Sequence, residues 1–198
     1  MTTTAGRRPP RTARDLWESL VDLDLFRVQV LDGRLIAHRN DPPEHAFRVA
    51  ALAGALFQSC FARGWQVATN SAAVCMAGTR DPVVPDLVLS PADCPLWRGT
   101  ELLSSGVVLL AEVVSDQTAH DDREVKPHVY ARGGVPVYLL IDPLDDPPSV
   151  TVFSGSGGAY QSVTRVLMGE PIRLPQPIDL ELDTSLFNEL RRAGKAAH

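Results

Sequence analysis

Apolar residues gather in short runs set apart by turn-forming clusters. The longest run is Gly106-Val-Val-Leu-Leu-Ala-Glu-Val-Val114. Its β-branched and aliphatic residues, without polar alternation, predict a central buried strand. Val84-Pro-Asp-Leu-Val-Leu89 and Val135–Ile141 predict two more strands, and Trp65–Ala68 and Ala72–Met76 two shorter ones. Phe26–Leu31 and Arg34–Ala37 flank Asp32-Gly33, a pair that favours the type I′ turn, so a β-hairpin is expected there. A second hairpin is expected from Val150–Phe153 and Ala159–Thr164 around Gly155, Gly157 and Gly158.

Helical spacing occurs in four places. Arg11–Leu20 sets Leu16, Trp17 and Leu20 on one face. A long helix from about Glu44 to Ala62 follows Pro42-Pro43, with Glu44 at its positive end and Gly64 placed to stop it. Its apolar face is expected to hold Phe47, Ala50, Ala51, Leu52, Ala55, Leu56 and Phe61, and Gly54 suggests close approach to a neighbour. A third helix lies within His120–Ala131, and a last one near Ser185–Lys195 follows the Pro-rich stretch 171–177. Residues 91–105 and 142–148 are expected as loops. This order of helices, strands and hairpins predicts an α/β domain with a mixed sheet flanked by helices.

At 198 residues and 44% apolar content, one domain with a sizeable core is expected over residues 11–198, behind a flexible leader at 1–10. No apolar run reaches the ~18 residues of a membrane span, and the first ten residues lack the apolar core of a secretory signal. A cytoplasmic protein without a membrane partner is therefore expected. Cys60, Cys75 and Cys94 are odd in number and lack zinc-like spacing, so small buried or semi-exposed free thiols are expected. The net charge of −5 argues against a protein that coats nucleic acid nonspecifically. It leaves room for a nuclease, because an empty acidic metal site adds negative charge. Arg123, Lys126, Arg132, Arg191, Arg192 and Lys195 could supply positive charge locally.

Glu112 is the polar residue inside the most apolar run, where an ionised carboxylate is costly unless paired or bound to a metal. Asp86 follows Pro85 at the head of another strand-like run. An antiparallel pairing of the two runs centred on Gly99 sets Asp86 opposite Glu112. Alternation then puts Asp86, Val88 and Ser90 on one face of their strand, and Val108, Leu110, Glu112 and Val114 on one face of the other. On the next segment Asp122, Lys126 and Tyr130 recur every four residues and share a helical face, with Arg123 nearby and Val125 and Val129 free to pack inward. Pro127 conflicts with a regular helix. The helix either begins late, near Glu124, or kinks at Pro127, and both alternatives stand.

Two converging carboxylates suit a hard cation such as Mg²⁺ or Mn²⁺, and a nearby ammonium can orient a water or balance charge on a phosphoryl group. Each residue alone also has a plainer explanation. Asp86 could be a turn residue, Glu112 a buried ion-pair member, Lys126 an exposed lysine and Glu44 a partner of the helix dipole. His120 and His128 have no metal-like partner spacing. P-loop, dinucleotide-binding and serine-nucleophile motifs are absent from the sequence.

Pro85-Asp86-Leu-Val-Leu-Ser90, Leu110-Ala-Glu112-Val-Val-Ser115, Asp122-Arg123-x-x-Lys126-x-x-x-Tyr130 and Gly134-Val-Pro-Val-Tyr138 through Ile141-Asp142-Pro143 form a pattern in order and spacing. Together, over about Val28–Thr164, it resembles the Uma family, a bacterial family assigned as restriction endonucleases with the PD-(D/E)xK nuclease-like fold. The resemblance implies a restriction-endonuclease-like mixed sheet. It implies Asp86 and Glu112 as metal carboxylates, the carbonyl of Val113 as a further ligand, and Lys126 as the lysine moved to the following helix. Val114 occupies the position where the older motif has lysine, and Gln29, with Arg27 nearby, stands where the family hairpin often carries glutamate. His45 matches the family histidine at the start of the long helix. DNA as substrate and homodimerisation are implied by the resemblance alone.

The combined expectation is a Mg²⁺-dependent (or Mn²⁺-dependent) DNA endonuclease. Asp86, Glu112 and Lys126 would be catalytic, Asp86, Glu112 and Val113 would hold the metal, and His45, Gln29, Asp122, Arg123 and Tyr130 would border the site. One alternative is a nuclease-fold module that binds nucleic acid or protein without cutting. Another is an interaction module whose buried carboxylates pair internally with Arg80 or Arg123.

Overall fold

The computed structural model describes residues 11–20, 26–39, 41–70 and 72–188. Helix α1 (Ala13–Leu20) packs Trp17 against strand β1 (Phe26–Leu31), where the indole N–H donates to the Val28 carbonyl at 2.7 Å. Strand β2 (Arg34–Arg39) pairs antiparallel with β1 across Asp32-Gly33, and both turn residues have positive φ, as the type I′ geometry requires. Helix α2 (Pro43–Phe61) follows, with proline in its first turn. The chain continues through β3 (Trp65–Thr69), β4 (Val74–Cys75), β5 (Pro82–Val83), β6 (Leu87–Pro91), β7 (Leu96–Trp97), β8 (Glu101–Leu103) and β9 (Leu109–Val113). A π-helical turn at Asp121–Val125 runs directly into helix α3 (Lys126–Arg132). Strands β10 (Val137–Asp142), β11 (Ser149–Ser154), β12 (Ser162–Leu167), β13 (Pro171–Leu174) and β14 (Leu180–Asp183) complete the order, with a short 3₁₀ turn at Thr184–Phe187.

The central sheet has the order β12-β11-β10-β9-β6-β3 among the described residues. Only β9 and β10 in it pair in parallel; its other neighbours are antiparallel, so the sheet is mixed as expected. Strands β9 and β10 are buried along their whole lengths, which explains their unbroken apolar character. One face of the sheet packs Leu87, Leu109, Ala111, Leu139 and Ile141 against Leu52 and Leu56 of α2. The other packs Val88, Leu110, Tyr138 and Leu140 against Val129 and Tyr130 of α3. Burying each such side chain contributes roughly 1.5–3 kcal/mol. The three cysteines are free and buried, as expected. No helix among the described residues is long and apolar enough to cross a membrane.

Several expectations give way. The apolar face of α2 is His45, Val49, Leu52, Leu56 and Cys60, whereas Phe47, Phe57 and Phe61 are exposed. Side-chain size misled the assignment of the face; the true stripe follows the helical period. Gly54 has nothing within 4 Å of where a Cβ would lie, so it marks no close approach. Residues 91–105 hold β7 and β8, which join β4 and β5 in a small sheet of order β5-β4-β8-β7. The Pro-rich stretch carries β13 and leads to its antiparallel partner β14. The last expected helix is a 3₁₀ turn as far as Phe187; its remainder, with Arg191, Arg192 and Lys195, lies outside the described residues, as does the expected leader.

Candidate active site

The β6–β9 register pairs Leu87 with Ala111, Val88 with Leu110 and Leu89 with Leu109. Extended by one step, it sets Asp86 across from Glu112. Glu112 shares the face of Leu110, which α3 covers, and Asp86 lies just ahead of β6 with its carboxylate on the Val113 N–H of β9.

The π turn settles the conflict at Pro127. The regular helix begins at Lys126, so Pro127 sits in its first turn, where a missing N–H costs nothing. The preceding π turn widens the backbone and brings the Asp122, Lys126 and Tyr130 side chains to the carboxylates. The Lys126 ammonium lies 2.7 Å from Asp122 Oδ1 and 2.9 Å from Glu112 Oε1. The Tyr130 hydroxyl donates to Glu112 Oε1 at 2.5 Å, and the Tyr138 hydroxyl donates to the Asp122 carbonyl at 2.9 Å. Lys126 is only 2% exposed, so it is no surface lysine.

Asp86 sits in a second set of bonds. Its Oδ1 accepts from Arg27 Nη1 at 2.5 Å. Its Oδ2 accepts from the Val113 backbone N–H at 2.8 Å and lies 2.9 Å from His45 Nε2. Asp41, four residues before His45, adds a fourth carboxylate: its Oδ2 is 3.3 Å from Arg27 Nη2 and 3.8 Å from His45 Nε2. Asn70 Oδ1 accepts from Arg27 Nη2 at 3.0 Å. A cleft of about 300 Å³ lined by Phe26, Arg27, Asp41, His45, Ala46 and Asn70 opens here.

Charge is unevenly balanced in this interior. Asp41, Asp86, Glu112 and Asp122 face two permanent cations, Arg27 and Lys126. Burial pushes the Glu112 carboxyl up to about 8, opposed by Lys126 and Tyr130 and reinforced by Asp86 and Asp122. Burial also raises Asp122, against the pull of Lys126. Burial would raise Asp86 too, but His45, Arg27 and Lys126 outweigh it and hold the group well below the usual carboxylate range. Burial would lower Lys126, yet Asp122, Glu112 and Asp86 prevail and raise it. His45 is raised as well, its burial outweighed by Asp86 and Asp41.

Other expected neighbours fall elsewhere. Arg123 turns away and forms a bidentate pair with Asp142, Nε to Oδ2 at 2.7 Å and Nη2 to Oδ1 at 2.9 Å, tying the π turn to β10. Gln29 is buried, and its Oε1 accepts from the Val84 N–H at 3.3 Å. Neither Arg80 nor Arg123 pairs with Asp86 or Glu112: Arg80 stacks on Trp97. Asp41 was missed from the sequence, although its spacing of four before His45 was available as a signal. His120 and His128 are exposed.

The donor set fits a divalent cation. Asp41, His45 and Asp86 offer ligand atoms that all lie within 4.8 Å of one another, and Asp41 Oδ1 is buried without a hydrogen-bond partner among the described residues. Carboxylate oxygens suit divalent cations, and the imidazole nitrogen adds a ligand that suits transition ions.

The mixed sheet thus holds Asp86 ahead of β6 and Glu112 on β9, with Lys126 supplied by the neighbouring helix α3. Consistent with this, the chain belongs to the Uma2 family, described as "Putative restriction endonuclease", whose model matches residues 16–185. The solved structures similar to it include a "putative nuclease belonging to DUF820" from Anabaena variabilis ATCC 29413, with a TM-score of 0.69 at 15% identity. That alignment covers 90% of this chain and 98% of the other, and shows the shared fold. No curated protein matches the chain in sequence.

Proposed function

We propose that the protein is a DNA endonuclease that hydrolyses phosphodiester bonds with Mg²⁺ or Mn²⁺. The observation that carries this reading is the buried Glu112–Lys126–Asp122 cluster of β9 and the α3 region, with buried Asp86 just ahead of β6 bonded to the Val113 N–H of the same β9 strand, carboxylates in excess of cations. Asp86 and Glu112 would hold the ion, with the Val113 backbone beside them. Once bound, the ion supplies a water of lowered pKa and offsets charge on a phosphoryl oxygen. Lys126, fixed between Glu112 and Asp122, donates to the attacking water and balances charge that builds on the phosphorus oxygens. Tyr130 holds Glu112 in place, and Arg27 at the cleft offers a planar donor fork for a backbone phosphate. Homodimerisation belongs to the same proposal and is tested by light scattering in solution.

The test is plasmid cleavage with Mg²⁺ or Mn²⁺ by the wild type, Asp86→Ala and Glu112→Ala, each checked for its fold by circular dichroism. Metal-dependent nicking by the wild type that both variants lose supports the reading. Full activity in either folded variant overturns the assignment of residues.

A second reading is a nuclease-fold module that binds nucleic acid or protein without cutting. It is favoured by the pairing of Arg27 with Asp86, which sets a fixed cation on the carboxylate that a metal would need. On that reading DNA binds equally with and without Mg²⁺ and stays uncut.

A further inference from the structure

We propose that Asp41, His45 and Asp86 form a binding site for a divalent first-row transition ion of the Mn²⁺ and Co²⁺ class, held in preference to Mg²⁺. The proposal rests on the preceding reading only in taking Asp86 as a metal ligand; Glu112 is not part of this set. Three donors come from the start of α2 and the head of β6, and their ligand atoms lie within 4.8 Å of one another. All three side chains are deeply buried, at 7%, 5% and 3% exposed for Asp41, His45 and Asp86.

The second observation is the unused valence of Asp41. Its Oδ1 is buried without a hydrogen-bond partner among the described residues, while Oδ2 faces His45 and Arg27. A buried carboxylate oxygen without a partner is costly, and a coordinated cation removes that cost. Asp41 and His45 also line the 300 Å³ cleft, so an ion has a path from solvent. In this chain Gln29 is neutral and already accepts from the Val84 N–H, so the carboxylate beside Asp86 comes from Asp41.

The imidazole decides the class of ion. Mg²⁺ demands near-octahedral oxygen coordination and keeps its waters, whereas imidazole nitrogen favours transition ions. His45 Nε2 lies 2.9 Å from Asp86 Oδ2, so a metal held by both would replace their direct contact. Arg27 then keeps its contact with Asn70 and gives up part of its hold on Asp41 and Asp86.

The experiment is isothermal titration of the full chain with Mn²⁺ and separately with Mg²⁺, together with pulsed EPR of the Mn²⁺ complex for nitrogen coupling. Wild type, Asp41→Asn, His45→Gln and Glu112→Gln are compared, with circular dichroism for each. Mn²⁺ should bind the wild type at least about tenfold more tightly than Mg²⁺, with a nitrogen coupling, and Asp41→Asn and His45→Gln should each weaken it by about tenfold or more. Glu112→Gln should keep the nitrogen-coupled Mn²⁺ signal, because Glu112 is not a ligand of the ion bound to His45, whatever happens to an ion held by Asp86 and Glu112. If His45→Gln does not fold, the nitrogen coupling of the wild type and the affinity of Asp41→Asn decide the matter. Absence of Mn²⁺ binding, absence of nitrogen coupling, or unchanged affinity in Asp41→Asn overturns the proposal and leaves Arg27 as the cation of the cluster. Loss of metal in Glu112→Gln with none in Asp41→Asn or His45→Gln overturns this site and keeps the one on Asp86 and Glu112. Mn²⁺ held by Asp41 and His45 without plasmid cleavage keeps this site and removes the nuclease reading.

Discussion

Lys126→Met is the sharpest probe of the buried charges. Methionine keeps most of the length and volume of the lysine stem, so packing changes little. The ammonium disappears, and Glu112 and Asp122 lose the cation that lies 2.9 Å and 2.7 Å from them. Lys126 is 2% exposed and both carboxylates are buried, so water cannot take its place. Removing one partner of a buried pair costs about 3–5 kcal/mol, because the remaining charge is uncompensated. For a chain of 150–250 residues, each 1 kcal/mol lowers the melting temperature by roughly 2–4 °C, so a fall of roughly 6–20 °C is expected. The assay is calorimetry in EDTA at about pH 9, above the value of about 8 to which burial pushes Glu112 so that its carboxylate is charged, on Lys126→Met, Glu112→Gln and the double variant. The double variant should recover a good part of the loss, since a neutral amide no longer needs the ammonium. A Lys126→Met protein melting within about 1 °C of the wild type, on that same scale, would show that the carboxylates do not depend on Lys126 and that the charge accounting is wrong.

Two glycines should answer oppositely to alanine. Gly54 is helical with open space around it, so Gly54→Ala should stabilise by about 0.5–1 kcal/mol in urea titration. At Gly133 an added Cβ would lie 2.8 Å from Met76 Sδ and 3.3 Å from the Val129 carbonyl, so Gly133→Ala should cost about 1–3 kcal/mol. Tyr130→Phe removes the hydroxyl that donates to Glu112 and should cost about 1–3 kcal/mol; an unchanged unfolding midpoint would refute a structural role for that bond. Breaking the Arg123–Asp142 clamp with Arg123→Ala should loosen the π turn, read as faster amide exchange at Asp122–Lys126 than in the rest of α3.

Periodicity alone located β1, β2, β6 and β9–β12, because each run carries its own apolar signal and the hairpins carry turn residues suited to positive φ. Strands β7, β8, β13 and β14 were missed: each is only two to four residues long, too short to carry a periodic signal, and pairing, not local propensity, makes them strands. The sequence determined that Glu112 would be a charge in a core, that Asp86 would face it, and that Asp122, Lys126 and Tyr130 would share a helical face. A residue type inside an apolar run, a register and a spacing are all local facts. It could not decide how Pro127 fits, because the π turn that admits it is tied down by the Tyr138 hydroxyl donating to the Asp122 carbonyl and by Arg123 donating to Asp142. Nor could it give the partners of Asp86. Arg27 and His45 lie more than forty residues before it, and only the seating of the β1–β2 hairpin and the start of α2 near the head of β6 brings them within bonding distance. Electrostatic partnership depends on distance in space, and for a buried charge that distance is set by packing.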